Sequence, residues 1–186
     1  AHQIRRIGYR IGGRKTEVHV SVSTFVPKPH TVFQWEPLAD AEAIERRQEM
    51  LRQRLRGRGL RLAWNDYAGT QLEAMLARGD RRLATVVQRA FELGARFDAW
   101  DDWRNPAVWE EAIAEGVEGH FPTGEALLDF YLYRRRAPDE ILPWDHLQSG
   151  VEKRFFLQDY QRSLSGELLV YCGGDENACG SVQNFL

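Results

Sequence analysis

Residues 17–25 carry the sequence EVHVSVSTF, and residues 26–31 continue as VPKPHT. The valines alternate with polar residues at the period of two that is typical of a β-strand with one covered face. Pro27 and Pro29 fix their own φ angles and disfavour helix at the residues before them. The stretch therefore predicts a short strand that leaves through a stiff, extended loop.

Helical patterns surround this strand. Isoleucines at positions 4, 7 and 11 before a glycine pair predict a helix over residues 2–12, and a second helix is expected from Asp40 to about Arg56. Residues 60–63 are a candidate short strand, and Pro143 favours a strand or extended segment over residues 141–147. Further helix starts are predicted at Asp80, Asn105, Thr123 and beyond Ser149. The chain is therefore expected to be α/β and rich in helix.

Composition narrows the class of protein. The chain has 186 residues, 43% of them hydrophobic, and a formal net charge of -2. This content supports a real core, and the balanced charge argues against a dominant nucleic-acid or membrane field. The basic, glycine-interrupted residues 1–14 lack the apolar segment of a secretory signal, and no apolar run reaches the ~20 residues of a membrane span. We expect a cytoplasmic protein.

The segment VSVSTFVPKPHT, residues 20–31, closely resembles the last-strand motif of a family of radical-SAM proteins with a cobalamin-binding-like N-terminal region. It is more loosely similar to the strand-end motif of radical-SAM methylthiotransferases. The resemblance continues in the family's order over roughly residues 17 to 157, in five segments: FQW 33–35, ARGDRRL 77–83, GARFDAW 94–100, LPWDH 142–146 and GV 150–151.

The resemblance implies a partial (β/α) barrel that binds S-adenosylmethionine and a [4Fe–4S] cluster. Residues 1–37 would be the barrel's last helix, last strand and exit loop, residues 38–165 a helical C-terminal subdomain, and residues 166–186 a loosely ordered tail with the cysteines. The upstream part of the same polypeptide would be the partner. The family's C-x3-C-x2-C cluster motif is not in this sequence, so we expect no catalytic residue, no bound cofactor and no activity in the fragment alone.

Four residues near the strand end are the best candidates for binding cofactor or substrate: Ser21, Ser23, Phe25 and Lys28. In α/β architectures, ligands collect at the carboxyl ends of strands. Serine hydroxyls can bond a ribose or carboxylate, a phenylalanine ring can stack on adenine, and a lysine can pair with an anion. The alternative is that the serines satisfy edges of the barrel lumen and the prolines only shape the exit.

Residues 78–82, RGDRR, allow two interpretations. Three arginines beside a helix start resemble an anion site. We favour the simpler interpretation, in which Asp80 caps the helix and the arginines are solvated or paired with neighbouring acids.

Two further clusters carry weaker signals. Asp98, Asp101 and Asp102 lie among tryptophans and could hold a hard metal, but such acids are more often solvated. In Trp144-Asp145-His146, strand spacing would place the tryptophan and the histidine on one face, where we expect a packed ring and a hydrogen-bonded imidazole.

Cys172 and Cys179 are the candidate metal ligands, although six residues separate them and a structural zinc or iron–sulfur site needs four ligands. A half-site, a reversible disulfide and two plain thiols stay open.

A second hypothesis is a helical RNA- or protein-interaction module. Arginines concentrate in residues 46–61 and 134–136, and such patches can hold RNA phosphates. Glutamates at positions 42, 45 and 49 predict ordinary pairing within the helix instead.

Overall fold

The computed structural model describes residues 1–13, 15–100, 102–115, 121 and 123–167. Within these residues the chain divides into two compact units. The strand unit comprises Ala1–Val26 and Ala39–Leu72, and the helical unit comprises Pro27–Leu38 and the chain from Glu73. The chain is a helix-rich α/β protein with a small parallel sheet, as its sequence predicts.

The strand unit contains two helix–strand pairs: α1 His2–Gly12, β1 Val18–Val22, α2 Ala41–Arg54 and β2 Leu60–Trp64. The strands are parallel, with Val18 opposite Leu60 and Val22 opposite Trp64. Asp40 caps α2 as predicted, because its Oδ1 accepts a hydrogen bond of 2.6 Å from the amide of Ala43. The helix over residues 2–12 and the strand beginning near residue 18 are likewise confirmed.

The mostly helical remainder of the chain contains the candidate strand predicted at residues 60–63. The candidate strand near residue 60 is present as β2 and pairs with β1 along five residues. Leu60, Leu62 and Trp64 are the less exposed positions of β2, so its apolar residues alternate as those of β1 do. The strand unit and the helical unit alternate along the chain, because Pro27–Leu38 belongs to the helical unit.

Gly59 of the strand unit has no room for a side chain. Its φ is +75°, and an added Cβ would meet the hydroxyl of Tyr9 at 2.3 Å and the carbonyl oxygen of Thr16 at 3.1 Å. Gly59→Ala should cost about 2 kcal/mol of unfolding free energy, because this φ strains any side chain and Tyr9 must give up its hydrogen bond to the carbonyl of Arg58. Urea denaturation measures the loss, and an unchanged midpoint would contradict the steric argument.

The helical unit contains the C-terminal part of α3 Tyr67–Arg78, and four further helices follow within the described part of the chain. A 3-10 turn at Arg81–Leu83 leads into α4, and a π turn at Asp129–Tyr133 continues α6. The later helices are α4 Ala84–Glu92, α5 Pro106–Glu115, α6 Gly124–Leu128 and α7 Lys153–Ser165. Three predicted caps are confirmed, with side-chain oxygens of Asp80, Asn105 and Thr123 accepting from backbone amides.

Aromatic side chains build one buried cluster of this unit. Trp35, Leu142, Trp144 and Tyr160 are all at most 5% exposed, and Phe156 packs against them. The rings of Trp35 and Tyr160 are 5.3 Å apart. Trp35 comes from the loop after the prolines and Tyr160 from α7, so the cluster joins distant parts of the sequence.

Residues 141–147, predicted to be extended, form a turn instead. The amide of Asp145 donates to the carbonyl of Leu142 at 3.0 Å, and the Asp145 carboxylate accepts from the amide of Leu142 at 2.8 Å. Aspartate favours such turns because its side chain bonds the nearby backbone. Trp144 and His146 therefore do not share a face: Trp144 is 5% exposed and His146 is exposed.

Among the described helices, none has both the length and the apolar character that a membrane span requires.

Candidate functional site

Three of the four predicted binding residues share one face of β1 and its extension. Ser21, Ser23 and Phe25 are all exposed, and Phe25 is 59% exposed. Ala63 of β2 lies opposite Ser21 and leaves the space beside this serine uncrowded. The strand unit thus presents two hydroxyls and an aromatic ring in a row at and beyond the carboxyl end of β1.

Lys28, the fourth predicted residue, belongs to the helical unit. Its ammonium forms an ion pair with the carboxylate of Glu73. Both side chains are about half exposed, so the pair contributes little stability, but it occupies the charge that an anionic ligand would need. Lys28 is therefore the weakest of the four candidates.

The arginines around α2 are partly neutralised within the strand unit. Arg46 pairs with Glu42 one helical turn away, and Arg52 pairs with Glu49 at 3.4 Å. Arg61 makes two bonds to Glu17, of 2.7 and 3.2 Å. The pairing predicted from the interspersed glutamates is confirmed for Arg46 and Arg52.

The second arginine cluster is also engaged. Arg134 makes two bonds of 2.7 Å to Glu140, and Arg135 bonds Glu36 at 2.9 Å. Arg136 is 2% exposed, and its guanidinium lies 5.0 Å from the centre of the Trp144 ring. These residues stabilise the helical unit more readily than they would bind phosphates.

Arg78 differs from both interpretations of the RGDRR segment. Its side chain is 0% exposed and donates to backbone carbonyls of Tyr131 at 2.7 Å, Arg134 at 3.2 Å and Glu36. Burial, together with nearby Arg136 and Arg134, lowers the pKa of Arg78 to about 10, so it stays charged at neutral pH. Arg78 is neither solvated nor an anion site. It holds the loop after the prolines to the π turn at Asp129–Tyr133 and to Arg134 just beyond it.

Asp80 and Arg82 confirm the capping interpretation. Asp80 accepts from the amide of Arg82 at 2.9 Å and from its guanidinium at 2.6 Å. Arg82 also lies over the rings of Phe121, Phe130 and Tyr131, at 5.2, 5.1 and 5.7 Å. Partial burial would raise the pKa of Asp80, but the hydrogen bonds from Arg82 outweigh it and lower the value to about 2.

The contribution of Asp80 to the free energy of unfolding should depend on pH in the acid range. Because its folded pKa of about 2 lies below the ordinary 3.8, the carboxylate stabilises the folded state above pH 3.8, and this contribution is lost as pH falls through 3.8 towards 2. The difference corresponds to about 2 kcal/mol. We expect Asp80→Asn to lose that amount at pH 7 and to converge on the parent chain near pH 2, in urea denaturation across this range. The exposed Asp102→Asn is the control; a constant gap between the Asp80→Asn and parent curves would contradict the prediction.

The structure describes only part of the predicted acidic cluster and none of the cysteine pair. Asp98 accepts from the indole nitrogen of Trp109 at 3.1 Å, which is a structural contact. Asp101, Cys172 and Cys179 lie outside the described residues. Within the described ranges, no group of three or more His, Cys, Asp or Glu side chains is arranged to hold a metal ion.

Sequence reasoning missed a pocket of about 370 Å³ in the helical unit. It lies between the loop at His30 and Gln34 and the segment 145–153, with Phe156 of α7 on its wall. Gln34 is 2% exposed, and its Oε1 accepts from the indole nitrogen of Trp144 at 2.6 Å and from the amide of His30 at 3.3 Å. The available signal was that segments 33–35, 142–146 and 150–151, each quoted for the resemblance, all contribute lining residues.

His30 adopts a backbone conformation that is rare outside glycine, with φ of 53°. Such positions cost free energy and cluster at functional sites. Here the conformation places the His30 amide against Gln34 and the residue itself on the pocket wall.

Comparison of the chain with family models, with curated proteins and with solved structures gives no match. An assignment of function therefore depends on the residues and geometry described above.

Proposed function

We propose that this chain is the C-terminal segment of a cytoplasmic radical-SAM enzyme that reductively cleaves S-adenosylmethionine to start radical chemistry on a substrate still to be identified. The segment would close the barrel and shape the pocket. A cluster of the [4Fe–4S] type supplies the electron for that cleavage when it is bound.

The exposed apolar stripe of α1 carries the proposal. Ile4, Ile7 and Ile11 are 61%, 51% and 84% exposed, although their spacing is that of a helix face packed on a core. An apolar stripe without cover marks an interaction surface. A neighbouring helix–strand unit of a larger barrel is the kind of surface that would cover it.

Three of the segments quoted for the resemblance, 33–35, 77–83 and 142–146, contact one another in the helical unit. Gln34 Oε1 accepts from Trp144, and the carbonyl of Gln34 accepts from Arg78 at 3.5 Å. This is expected if those motifs reflect a shared fold.

The chain's own residues do not fit the cluster. Its motif takes three cysteines at C-x3-C-x2-C, whereas the sequence contains two cysteines with six residues between them. The cluster would therefore be held by the upstream part of the polypeptide. The row Ser21, Ser23 and Phe25 does suit S-adenosylmethionine, with hydroxyls for the ribose or carboxylate and a ring for the adenine.

The upstream coding sequence tests the proposal. We expect it to encode the three-cysteine motif, and the longer protein, reconstituted anaerobically with iron and sulfide, to release methionine from S-adenosylmethionine under reducing conditions. The 186-residue chain alone should release none. In the longer protein, Ser23→Ala should raise the KM for S-adenosylmethionine, and Ser165→Ala should leave it unchanged. An upstream sequence without the motif would refute the enzyme assignment.

An RNA-interaction module remains the alternative. Ion pairs among the described residues involve Arg46, Arg52 and Arg61, so the module would depend on the other arginines of residues 46–61, such as Arg47, Arg54 and Arg58. Such a module should bind RNA with an affinity that falls steeply with salt. Indifference to RNA at low salt would end this alternative.

A further inference from the structure

We propose that the pocket beside Gln34 binds a small uncharged molecule through a carbonyl oxygen, with Gln34 Nε2 as the donor. This inference goes beyond the enzyme assignment, because it concerns a site within the helical unit and holds whether or not the chain belongs to a radical-SAM protein.

The orientation of the Gln34 amide is fixed by its neighbours. The indole nitrogen of Trp144 and the backbone amide of His30 can only donate, so the atom facing both must be Oε1. The NH2 group is then forced to point the other way. None of the described residues supplies an acceptor for it.

The side chain of Gln34 is 2% exposed as a whole, yet its Nε2 is not one of the described nitrogens and oxygens that are both fully buried and without a partner. This is expected if the NH2 group faces the open pocket, where a ligand or water can accept its hydrogen bond. Because Gln34 lines the pocket, a molecule in the pocket is the available partner for its Nε2.

The charges around the pocket are already compensated. Lys153 bonds the carboxylate of Asp145 at 2.6 Å and the carbonyl of Glu140 at 2.8 Å. Glu152 pairs with Arg154. The remaining titratable side chain among the residues that line the pocket is that of His30. The pocket therefore offers an ionic ligand no unpaired carboxylate or ammonium, which favours a neutral molecule.

The walls define the rest of the ligand. Phe156, Val151 and Leu147 offer apolar surface, and the volume of about 370 Å³ is within the range of small-molecule sites. Together with the Gln34 donor, these walls suit an apolar body that carries a carbonyl oxygen.

Three aromatic ligands of nearly equal size test whether the pocket prefers a neutral, an anionic or a cationic molecule. Acetophenone is neutral and only accepts, benzoate is an anion, and benzamidine is a cation that only donates. Each is titrated into the isotopically labelled 186-residue chain, and the side-chain amide of Gln34 and the indole of Trp144 are followed by NMR. We expect acetophenone alone to shift both resonances saturably. No saturable shift with acetophenone, or a stronger response to benzoate, would overturn the proposal.

Gln34→Glu replaces the NH2 donor with an acceptor and keeps the bonds that residue 34 accepts from Trp144 and His30. One carboxylate oxygen can still accept from Trp144 and His30, and the second oxygen replaces the NH2 group. Acetophenone affinity should fall by about fivefold to tenfold, the worth of one hydrogen bond, and benzamidine should begin to bind. Gln158→Glu, on the exposed side of α7, adds the same charge and should change neither result.

Val151→Trp fills the pocket and leaves residue 34 unchanged. It therefore tests the proposal even if Gln34→Glu does not fold. The Trp144 indole resonance reports whether each variant keeps the native contact. Acetophenone should no longer bind to Val151→Trp; unchanged affinity in this variant would place the probe elsewhere and overturn the proposal.

Discussion

Replacing Arg78 with methionine is expected to lower the free energy of unfolding of the helical unit by about 3–5 kcal/mol. Methionine fills a similar volume but donates nothing. The carbonyls of Tyr131, Arg134 and Glu36 would each lose a charge-assisted donor in a fully buried position. Urea denaturation followed by circular dichroism measures the loss.

Two matched variants separate the cause. Arg78→Lys keeps the charge, but lysine lacks the planar fork that bonds three diverging carbonyls. We therefore expect Arg78→Lys to preserve less than half of the unfolding free energy that Arg78→Met loses. Arg81→Met changes the same residue type three positions later at an exposed site and should cost within about 0.5 kcal/mol. Equal losses for Arg78→Met and Arg81→Met would refute the role assigned to Arg78.

Trp35→Ala should cost about 3–5 kcal/mol, because it empties the centre of the aromatic cluster. Trp35 is 0% exposed and its ring lies 5.3 Å from that of Tyr160. The loss of tryptophan fluorescence and the urea midpoint would both report it.

Phenylalanine variants of Trp35 and Trp144 test the polar part of the same cluster. The indole nitrogen of Trp35 is buried without a partner among the described residues, whereas that of Trp144 donates to Gln34. Both substitutions remove a similar volume. Trp144→Phe should therefore cost about 1 kcal/mol more than Trp35→Phe, since only it breaks a hydrogen bond. A larger loss for Trp35→Phe than for Trp144→Phe would contradict the hydrogen bond between Trp144 and Gln34.

Part of the candidate site followed directly from sequence. The period-two alternation in residues 17–25 predicted β1 and placed Ser21, Ser23 and Phe25 on one exposed face. Lys28 could not be judged in the same way, because its partner Glu73 is 45 positions away.

The arginines of residues 78–82 show where local reasoning ends. The same residue type is buried at position 78, exposed at 81 and paired at 82. Capping by Asp80 was predictable, since it depends on atoms two residues apart. The burial of Arg78 was not, since its acceptors lie 42 to 56 positions away.

By itself the sequence determined the helices, their caps and the strands, because these depend on spacing and on contacts within a few residues. The turn at residues 141–147 was missed although its bonds are local, because the strand pattern was preferred to the turn signal of Asp145. Only the tertiary structure decided the buried guanidinium and the pocket. The pocket rests on a bond between Gln34 and Trp144, separated by 110 positions, and the donor left unused on Gln34 exists only because that bond forms.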